Sequence, residues 1–497
     1  MLKYISRRAF ISTAISYLGT TAVLAEAPLS SLRPALRGAD APKVVVKSAD
    51  ALVRASQVSG RVAFAVANAK TGARVEGMNG NVSVAPASVT KAVTALYALD
   101  VLGANHRFRT RLIATVSIVG GVVQGDLILV GGGDPTLTTD GLAKMAGQLK
   151  AAGITEVKGK FLAYDGALPR VKIIDKDQQV QVGYSPAVSG IALNYNRVHF
   201  EWRRNSGQYS TTMDARTAKY RPDVAMAKMS IASRSSPVFT YTDKGGADNW
   251  SVARGALGSG GARWLPVRKP ALYAADVLAT MAGAQGIRLK PVKVVNRISA
   301  GTALVTHQSA PLREILRDML KYSTNLTAEM VGMAATVKRR GKVSGLKASA
   351  TEMNAWTRSA LGVQGMRLVD HSGLGAANRM TADAMVGALV KVYGSNALRP
   401  ILKSIPVRDE NRKVIENAAI KIDAKTGTLN FVSGLGGYMT TRDGTVLAFA
   451  IFAGDEKIRS RISKADREAP KGGKTYNTRA KKLQQKLIGR WGAVYSS

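Results

Sequence analysis

The spacing of apolar residues predicts two helices and two strands in the first part of the chain. Apolar positions recur at helical spacing in residues 44–53, and alternation predicts strands at 61–68 and 73–77. As a helix, residues 88–102 would be apolar around most of their surface, which predicts a largely buried helix there. The predicted order is helix, strand, strand, helix.

After residue 104 the pattern changes to short β-type runs. Strands are predicted at 108–119, 125–130, 157–163 and 190–202, with one helix at 142–152. Residues 203–262 are polar and rich in Gly and Ser, which predicts loops and short strands. Together these segments predict a β-rich insertion over residues 105–265.

Helical spacing returns in the last part of the chain. Helices are predicted at 271–284, 312–322, 326–338, 348–361, 381–392 and 475–491. Strands are predicted at 419–423, 431–441 and 446–453. This order predicts an α+β fold in which residues 28–104 and 266–497 form one domain that the insertion splits.

Residues 1–27 have the layout of an export signal. Arg7 and Arg8 precede a mildly apolar run at 9–24, and Ala25 or Ala27 offers a small residue for cleavage. The paired arginines favour the twin-arginine route, with the general secretory route as the alternative. The run is too short and too polar for a lasting membrane span, so we expect an exported, periplasmic protein.

Charge is the unusual feature of the composition. The 497 residues include 71 Lys and Arg against 33 Asp and Glu, a formal charge of +38. Such a charge favours a polyanionic partner, and for an exported protein a carboxylate-bearing cell wall or a membrane surface fits better than nucleic acid. The chain has no cysteine, which excludes disulfides and thiolate chemistry. The sequence contains no H-E-x-x-H motif, so it gives no support for a zinc hydrolase.

Three short motifs carry candidate chemistry. They are Ser88-Val89-Thr90-Lys91, Ser323-Thr324-Asn325 and Lys425-Thr426-Gly427. Two of these patterns occur a second time, at Ser344–Lys347 and at Lys70–Gly72. The patterns alone therefore do not identify the site.

Local context favours the first match. Ser88 and Lys91 share one face at the start of a predicted helix, where free backbone N–H groups favour a developing oxyanion. A buried lysine with cationic neighbours is partly neutral and can accept the serine proton. Ser344 instead precedes Gly345 in a stretch of Lys, Arg and Gly, which predicts a solvated loop. Residues 70–72 join two alternating strands and predict a hairpin turn.

With these motifs in this order, the chain resembles the class C low-molecular-mass penicillin-binding proteins, which are D-alanyl-D-alanine carboxypeptidases/endopeptidases of the penicillin-binding protein 4 type. Ser88 and Ser323 are 235 positions apart, which matches the large insertion of that family. Further matching segments are Pro86–Lys91, Gly125–Leu127, Gly132–Leu137, Leu193–Asn196, Tyr322–Glu329, Asp370–Leu374 and Lys425–Thr428. The resemblance implies a penicillin-binding serine transpeptidase-like domain, an antiparallel sheet flanked by helices. It places the β-rich insertion between the nucleophile helix and the Ser-x-Asn motif.

The resemblance implies catalytic roles for the first two motifs. Ser88 is expected to be the acylated nucleophile and Lys91 its general base. Ser323 and Asn325 are expected to relay a proton and to hold the substrate peptide. The chemistry needs no metal and no cofactor.

The third motif is expected to bind substrate along a strand. The resemblance implies that Lys425 takes part in catalysis and, with Thr426, recognises the terminal carboxylate. Gly427 and Thr428 would continue the substrate-binding strand. The amides of Ser88 and Thr428 are expected to form the oxyanion hole, which in comparable sites contributes about 2.7–4 kcal/mol per donor.

One loop departs from the family pattern. His371 stands where the family has Gly before Ser-Gly-Leu, and Gly375-Ala376 follows Leu374 where the family has Ser-Arg. Arg379, three residues later, is a candidate replacement for that arginine. We interpret His371 as a surface or capping histidine rather than a catalytic one.

Two acidic residues outside the motifs are candidates for either a functional or a structural role. Asp165 follows a predicted strand of the insertion, and it either faces the cleft and pairs with an amine of the substrate or is a solvated turn residue. Glu329 lies one helical turn after Asn325, and we interpret it as structural.

The expected function is that of a serine D-Ala-D-Ala carboxypeptidase/endopeptidase. Its substrates would be peptidoglycan stem peptides and their cross-links, and β-lactams would acylate and inhibit it. A β-lactamase or serine esterase of the same superfamily is one alternative, and a catalytically inactive wall-binding scaffold is another. A scaffold has no chemical need for Ser88, Lys91, Ser323, Asn325 and Lys425, all of which are present.

Overall fold

A computed structural model describes residues 46–409, 411 and 413–495 of the protein, and the export signal predicted at residues 1–27 lies outside these residues. The α-helices of the described part are α1 (Ala49–Ala55), α2 (Thr90–Leu102), α3 (Thr139–Ala151), α4 (Pro270–Ala284), α5 (Leu312–Tyr322), α6 (Asn325–Arg340), α7 (Leu346–Leu361), α8 (Ala382–Tyr393), α9 (Glu456–Arg459) and α10 (Gly473–Val494).

The strands are given in chain order. They are β1 (Arg61–Asn68), β2 (Arg74–Met78), β3 (Arg109–Ala114), β4 (Ile118–Val119), β5 (Val122–Val123), β6 (Leu127–Val130), β7 (Glu156–Val157), β8 (Phe161–Tyr164), β9 (Arg197–Asn205), β10 (Gln208–Asp214), β11 (Ala227–Ala232), β12 (Phe239–Asp243), β13 (Asp248–Ala253), β14 (Gly260–Pro266), β15 (Lys293–Val295), β16 (Thr302–Gln308), β17 (Met366–Arg367), β18 (Arg379–Met380), β19 (Lys403–Ser404), β20 (Lys421–Leu429), β21 (Val432–Thr440) and β22 (Val446–Gly454).

One six-stranded sheet joins the two ends of the described chain. Its order is β19-β20-β21-β22-β1-β2, and every neighbouring pair is antiparallel. Strands β21 and β22 are buried along almost their full length because helices cover both faces of the sheet. Helices α2 and α8 belong to the core on one face, and α1 and α10 to the core on the other. The expected α+β fold, an antiparallel sheet flanked by helices, is confirmed.

The β-rich segment forms a separate set of sheets. A five-stranded sheet has the order β15-β8-β6-β3-β16, and two three-stranded sheets have the orders β10-β9-β14 and β11-β13-β12. Helices α3 and α4 share a second core with these sheets, in which Phe161, Phe200 and Trp250 are buried.

The second core continues past residue 265, where the insertion was expected to end. Apolar residues of α4 belong to this core, and so does Val305 of β16. Strand β16 also pairs with β3, with Thr306 opposite Arg111. We therefore propose that the chain returns to the domain of the six-stranded sheet near Ser309.

Most predicted elements agree with the structure, and the main differences lie in the insertion. Strand β1 occupies the predicted residues 61–68, and α4 to α8 and α10 overlap the predicted helices. The strand predicted at 190–202 begins only at Arg197, because the three residues before it have positive φ angles. Residues 203–262 form longer strands than expected, such as the seven residues of β10. Strands β15 and β16 were not predicted.

Within the described residues, no helix combines the length and the apolar composition needed to cross a membrane.

Candidate active site

Ser88 lies in a tight turn at the start of the buried helix α2. A 3₁₀ turn, Ala87–Val89, leads directly into α2, and Ala87 has a left-handed φ of 47°. This conformation is strained for a residue other than glycine, and such strain is often found at functional sites. Ser88 is half-buried and lines a cleft.

Lys91 is buried one helical turn after Ser88. Its Nζ lies 2.9 Å from Ser88 Oγ, 2.7 Å from Asn325 Oδ1 and 2.8 Å from the carbonyl oxygen of Ser372. Burial lowers the pKa of the Lys91 amine to about 7, although two nearby carboxyl groups act in the opposite direction. An amine with this pKa is partly neutral at neutral pH, so it can accept the serine proton.

Ser323 and Asn325 lie where one helix ends and the next begins. Ser323 ends α5 in a left-handed conformation with a φ of 60°, and Asn325 is the first residue of α6. Ser323 Oγ accepts a hydrogen bond from Lys425 Nζ at 3.0 Å, whereas Asn325 Oδ1 accepts one from Lys91 Nζ. The connection between the two helices therefore contacts both lysines of the site.

Lys425 is the second buried lysine of the site, and it lies on strand β20. Burial, together with the positive charges of Lys91 and Lys403, holds the pKa of its amine well below the usual range. Its Nζ also donates to the carbonyl oxygen of Thr426 at 2.7 Å. The three motifs thus meet around two amines that burial makes easy to deprotonate.

Strand β20 packs closely against the serine turn. A Cβ atom on Gly427 would lie 2.7 Å from the carbonyl oxygen of Pro86 and 3.1 Å from the amide nitrogen of Ser88. Only glycine at this position allows strand β20 to lie this close to the serine turn. Thr426 and Thr428 alternate with Gly427 and are exposed. The oxyanion hole formed by the amides of Ser88 and Thr428 stays a prediction.

Two buried carboxyl groups, Glu329 and Asp370, hold the loop that contacts the base. Glu329 accepts hydrogen bonds from the amides of His371 and Ser372 at 2.9 and 3.0 Å, and Asp370 accepts one from the amide of Gly373 at 2.6 Å. Burial and the neighbouring negative charge raise the pKa of Glu329 to about 8, and burial also raises the pKa of Asp370. Glu329 acts on the backbone, as expected for a structural residue.

His371 is buried, so its interpretation as a surface or capping histidine is wrong. Its Nε2 lies 2.7 Å from Ser349 Oγ, and its ring stacks on the ring of Tyr97. Burial lowers the pKa of the imidazole to about 3, so the ring is neutral. A Cβ atom on Gly332 would lie 2.2 Å from the ring, so the glycine makes room for it. His371 is a core residue beneath the loop.

The three motifs line one cleft with a volume of about 670 Å³. Its lining includes Ser88, Ser323, Asn325, Thr426 and Thr428. The structure therefore brings together residues from the first, middle and last parts of the chain, as the motif order predicted.

The insertion supplies a wall of this cleft that sequence analysis missed. Asn325 Nδ2 donates to the carbonyl oxygen of Tyr184 at 2.9 Å, and the Tyr184 hydroxyl donates to Gln178 Oε1 at 3.1 Å. Residues 456–468 add further lining, including Glu468, whose Oε2 accepts from Gln181 Nε2 at 2.9 Å. These positions carry no motif, and only the tertiary fold brings them to the cleft.

Asp165 does not line this cleft. It is 2% exposed, forms an ion pair of 2.6 Å with Arg170 and lines a separate cavity of about 420 Å³. Both the cleft-facing and the solvated interpretation of Asp165 are therefore wrong. Arg379 lines another cavity, but its guanidinium contacts two residues of the Ser88 cleft: it donates to the carbonyl oxygen of Ala376 at 2.7 Å and pairs with Glu456 at 3.3 Å. Its role as the replacement arginine stays a prediction.

The second matches to the motifs are structural, as predicted. Ser344 is exposed in a loop before α7, and residues 70–72 lie in the turn between β1 and β2. Neither belongs to the lining of the Ser88 cleft.

In this site one serine lies beside a buried lysine, and a second serine contacts a lysine on a strand of an antiparallel sheet. This is the arrangement of the penicillin-interacting serine enzymes. Sequence comparison then gives the family. The chain belongs to the D-Ala-D-Ala carboxypeptidase 3 (S13) family, whose sequence profile matches residues 46–470.

Two named relatives are similar over most of their length. The D-alanyl-D-alanine carboxypeptidase of Actinomadura sp. (strain R39) is 28% identical over 445 residues, which cover 81% of this chain and 79% of that protein. The D-alanyl-D-alanine carboxypeptidase DacB of Haemophilus influenzae is 23% identical over 418 residues, covering 79% of this chain and 85% of the relative.

Solved structures show the same fold. The crystal structure of penicillin binding protein 4 (dacB) from Haemophilus influenzae matches with a TM-score of 0.70 at 19% identity, covering 90% of this chain and 99% of that one. A crystal structure of the same protein complexed with a novel β-lactam matches with a TM-score of 0.68.

Proposed function

We propose that the chain is a serine D-alanyl-D-alanine carboxypeptidase/endopeptidase that acts on peptidoglycan stem peptides and their cross-links through an acyl-enzyme on Ser88. The observation that carries the proposal is the buried Lys91 amine, 2.9 Å from Ser88 Oγ and with its pKa lowered to about 7. Membership of the D-Ala-D-Ala carboxypeptidase family supports the substrate class.

In the first half of the reaction, neutral Lys91 takes the proton from Ser88 Oγ while that oxygen attacks the D-Ala carbonyl carbon. The amides of Ser88 and Thr428 stabilise the negative charge on the carbonyl oxygen. The C–N bond then breaks, and the leaving amine takes a proton relayed through Ser323. The product is an ester on Ser88.

In the second half, water hydrolyses this ester. Lys91 again accepts a proton, now from the attacking water, and returns it to Ser88 Oγ as the C–O bond breaks. A β-lactam would form the same ester by ring opening. Its leaving nitrogen stays attached to the acyl group, so we propose that the ester persists and inhibits the enzyme.

The alternatives predict different fates for a β-lactam. A β-lactamase would release hydrolysed drug with fast turnover, and an esterase would cleave ester substrates without a preference for D-Ala. An inactive scaffold would not be acylated at all. Incubation with a labelled penicillin and with cross-linked muropeptides, followed by mass analysis of protein and products, distinguishes these cases.

Replacing Ser88 tests the nucleophile. Ser88→Ala should abolish covalent β-lactam labelling and lower D-Ala release by at least about 10³-fold, because it removes the proposed nucleophile. Thermal unfolding checks that the variant is folded. Ser344→Ala is the matched control and should behave as the unchanged protein. Persistent labelling of Ser88→Ala would refute the assignment.

For the location, we propose export to the periplasm by the twin-arginine route. The support is the sequence of residues 1–27, with its paired Arg7 and Arg8. Replacing both with Lys keeps the charge and removes the guanidinium pair, so precursor should accumulate inside the cell. Cell fractionation measures this. Normal periplasmic accumulation of the double variant would indicate the general secretory route.

A further inference from the structure

A second cavity adjoins the cleft at strand β20. It has a volume of about 730 Å³ and shares Thr426 and Thr428 with the cleft as lining residues. Its walls come from β19, from residues after β19 and from helix α10. We call this cavity the basic groove, after the residues described next.

Three lysines of the basic groove form no ion pair with a described residue. They are Lys403, Lys481 and Lys482, all of them exposed. Along α10, Thr478, Lys481, Lys482 and Gln485 follow one another at steps of three, one and three residues, so one helix face lines the groove. The described lining holds five basic residues against one acidic residue, Asp409, so this concave surface is positive and attracts an anionic ligand.

Hydrogen bonds from α10 fix the shape of the groove. Gln485 Nε2 donates to the carbonyl oxygen of Pro406 at 3.3 Å, and Gln485 Oε1 accepts from the amide of Arg408 at 3.1 Å. The buried Gln484 donates to Ser433 Oγ at 3.2 Å. These contacts hold α10 against residues 406–408 and against β21, so the fold itself fixes the wall of the groove and binding needs little ordering of the protein.

Strand β20 has an open edge between the cleft and the groove. Strand β19 pairs only with Asp423 and Ala424 of β20, whereas β21 pairs with β20 as far as Leu429. No described strand covers the other edge of β20 from Lys425 onward. An extended peptide can add to such an edge through its backbone.

We propose that the basic groove binds the carboxylate-bearing peptide that leaves when a cross-link is cut. The inference rests on the proposed function. In the carboxypeptidase reaction the leaving group is a single D-Ala, whose carboxylate is expected near Lys425 and Thr426. In a cross-link the leaving group is a second peptide with free carboxylates, and it continues past Thr426 into the groove. The groove therefore determines the preference for cross-linked over monomeric substrate.

A charge reversal inside the groove tests this. Lys481→Glu/Lys482→Glu is compared with Lys338→Glu/Arg339→Glu, which reverses two exposed neighbouring charges near the end of α6 and touches no described cavity. Both double variants change the net charge equally, so any effect of bulk charge is the same in both. Each is assayed on a purified cross-linked muropeptide dimer, on a monomeric pentapeptide and for the rate of penicillin acylation.

We expect kcat/KM for the dimer to fall about tenfold or more in the groove variant and to change little in the control variant, because only the groove variant repels the leaving peptide. Pentapeptide cleavage and acylation should be similar in both variants. An equal fall for the dimer in both would overturn the proposal and assign the effect to net charge. An equal fall for dimer and pentapeptide in the groove variant would also overturn it.

The same assays keep this proposal separate from the proposed function. If the unchanged protein is not acylated by penicillin and cleaves neither substrate, the proposed function fails. If it is acylated and cleaves both, and the groove variant keeps the same ratio of dimer to pentapeptide cleavage, only the groove proposal fails.

Discussion

At the scale of single residues, the charge state of Lys91 controls when Ser88 can react. The Lys91 amine has a pKa of about 7 because it is buried. The neutral, proton-accepting fraction therefore grows from roughly one tenth at pH 6 to about nine tenths at pH 8. We expect the second-order rate of penicillin acylation to rise with pH over this range and then to level off. Stopped-flow or quenched labelling across pH 5.5–9 measures it.

A matched variant checks that this profile belongs to Lys91. Lys91→Arg places a group there that stays protonated in the whole range, so acylation should be almost lost at every pH. A flat rate from pH 6 to 8 in the unchanged protein would contradict the role of Lys91 as base.

The site residues that could be predicted from the sequence are those that belong to short motifs. Ser88 and Lys91 are one helical turn apart, so sequence alone placed them in contact. The environments of His371 and Asp165 could not be predicted in this way, because both depend on segments distant in the chain. His371 contacts Ser349 of α7, and the carbonyl oxygen of Asp165 accepts a hydrogen bond from the amide of Gly190 at 2.8 Å. Tyr184 was missed for the same reason, since only the fold brings its carbonyl to Asn325.

At the scale of elements, the spacing between strand β20 and the serine turn depends on Gly427. Gly427→Ala would place a Cβ atom 2.7 Å from the carbonyl oxygen of Pro86 and force the strand away from Ser88. We expect acylation to slow at least tenfold, about 1.4 kcal/mol in the barrier, while the protein stays folded. Penicillin labelling and thermal unfolding measure the two effects.

Gly147→Ala is the control for this substitution. Gly147 lies in α3, and a Cβ atom there would meet no heavy atom within 4 Å. Acylation should be unchanged, and the free energy of unfolding should rise by up to about 1 kcal/mol, because alanine favours helix over glycine. Equal acylation rates in both variants would show that the strand tolerates a side chain at position 427.

Apolar spacing predicts most helices and the buried strands of the main sheet, whereas it does not predict the irregular part of the insertion. Strand β1 and helix α5 have the predicted bounds because one periodicity runs through each of them. Asn194, Tyr195 and Asn196 look like the middle of a strand in sequence, yet their φ angles of 49°, 58° and 50° break it. Asn adopts this conformation more readily than most residues, but Tyr195 between the two has no sequence signal for it.

At the scale of the whole molecule, the charge of +38 exceeds what the reaction needs. Residues 457–490 alone carry twelve basic and two acidic residues. We propose that this basic surface concentrates the enzyme on the carboxylate-bearing wall. Screening acts over about 8 Å at physiological ionic strength, so sedimentation with purified sacculi should weaken steeply with added salt.

Hydrolysis of a small soluble D-Ala-D-Ala peptide serves as the control, because it needs only the cleft and should depend much less on salt. The two assays are run across one salt series from 20 to 500 mM, which spans roughly a fivefold range of Debye length. Sedimentation with sacculi that does not depend on salt would contradict the electrostatic explanation.

The strand order of the main sheet also affects how the protein folds. Strand β1 lies between β2 and β22, so Phe64 pairs with Ile451 near the other end of the chain. Contacts between such distant positions form slowly, because a long loop must close before they are made. Until β22 has been synthesised, β1 keeps one hydrogen-bonding edge without its partner, and such an edge can pair with other chains. Ser88 and Lys91 are made early, yet the sheet that supports them closes only when nearly the whole chain exists.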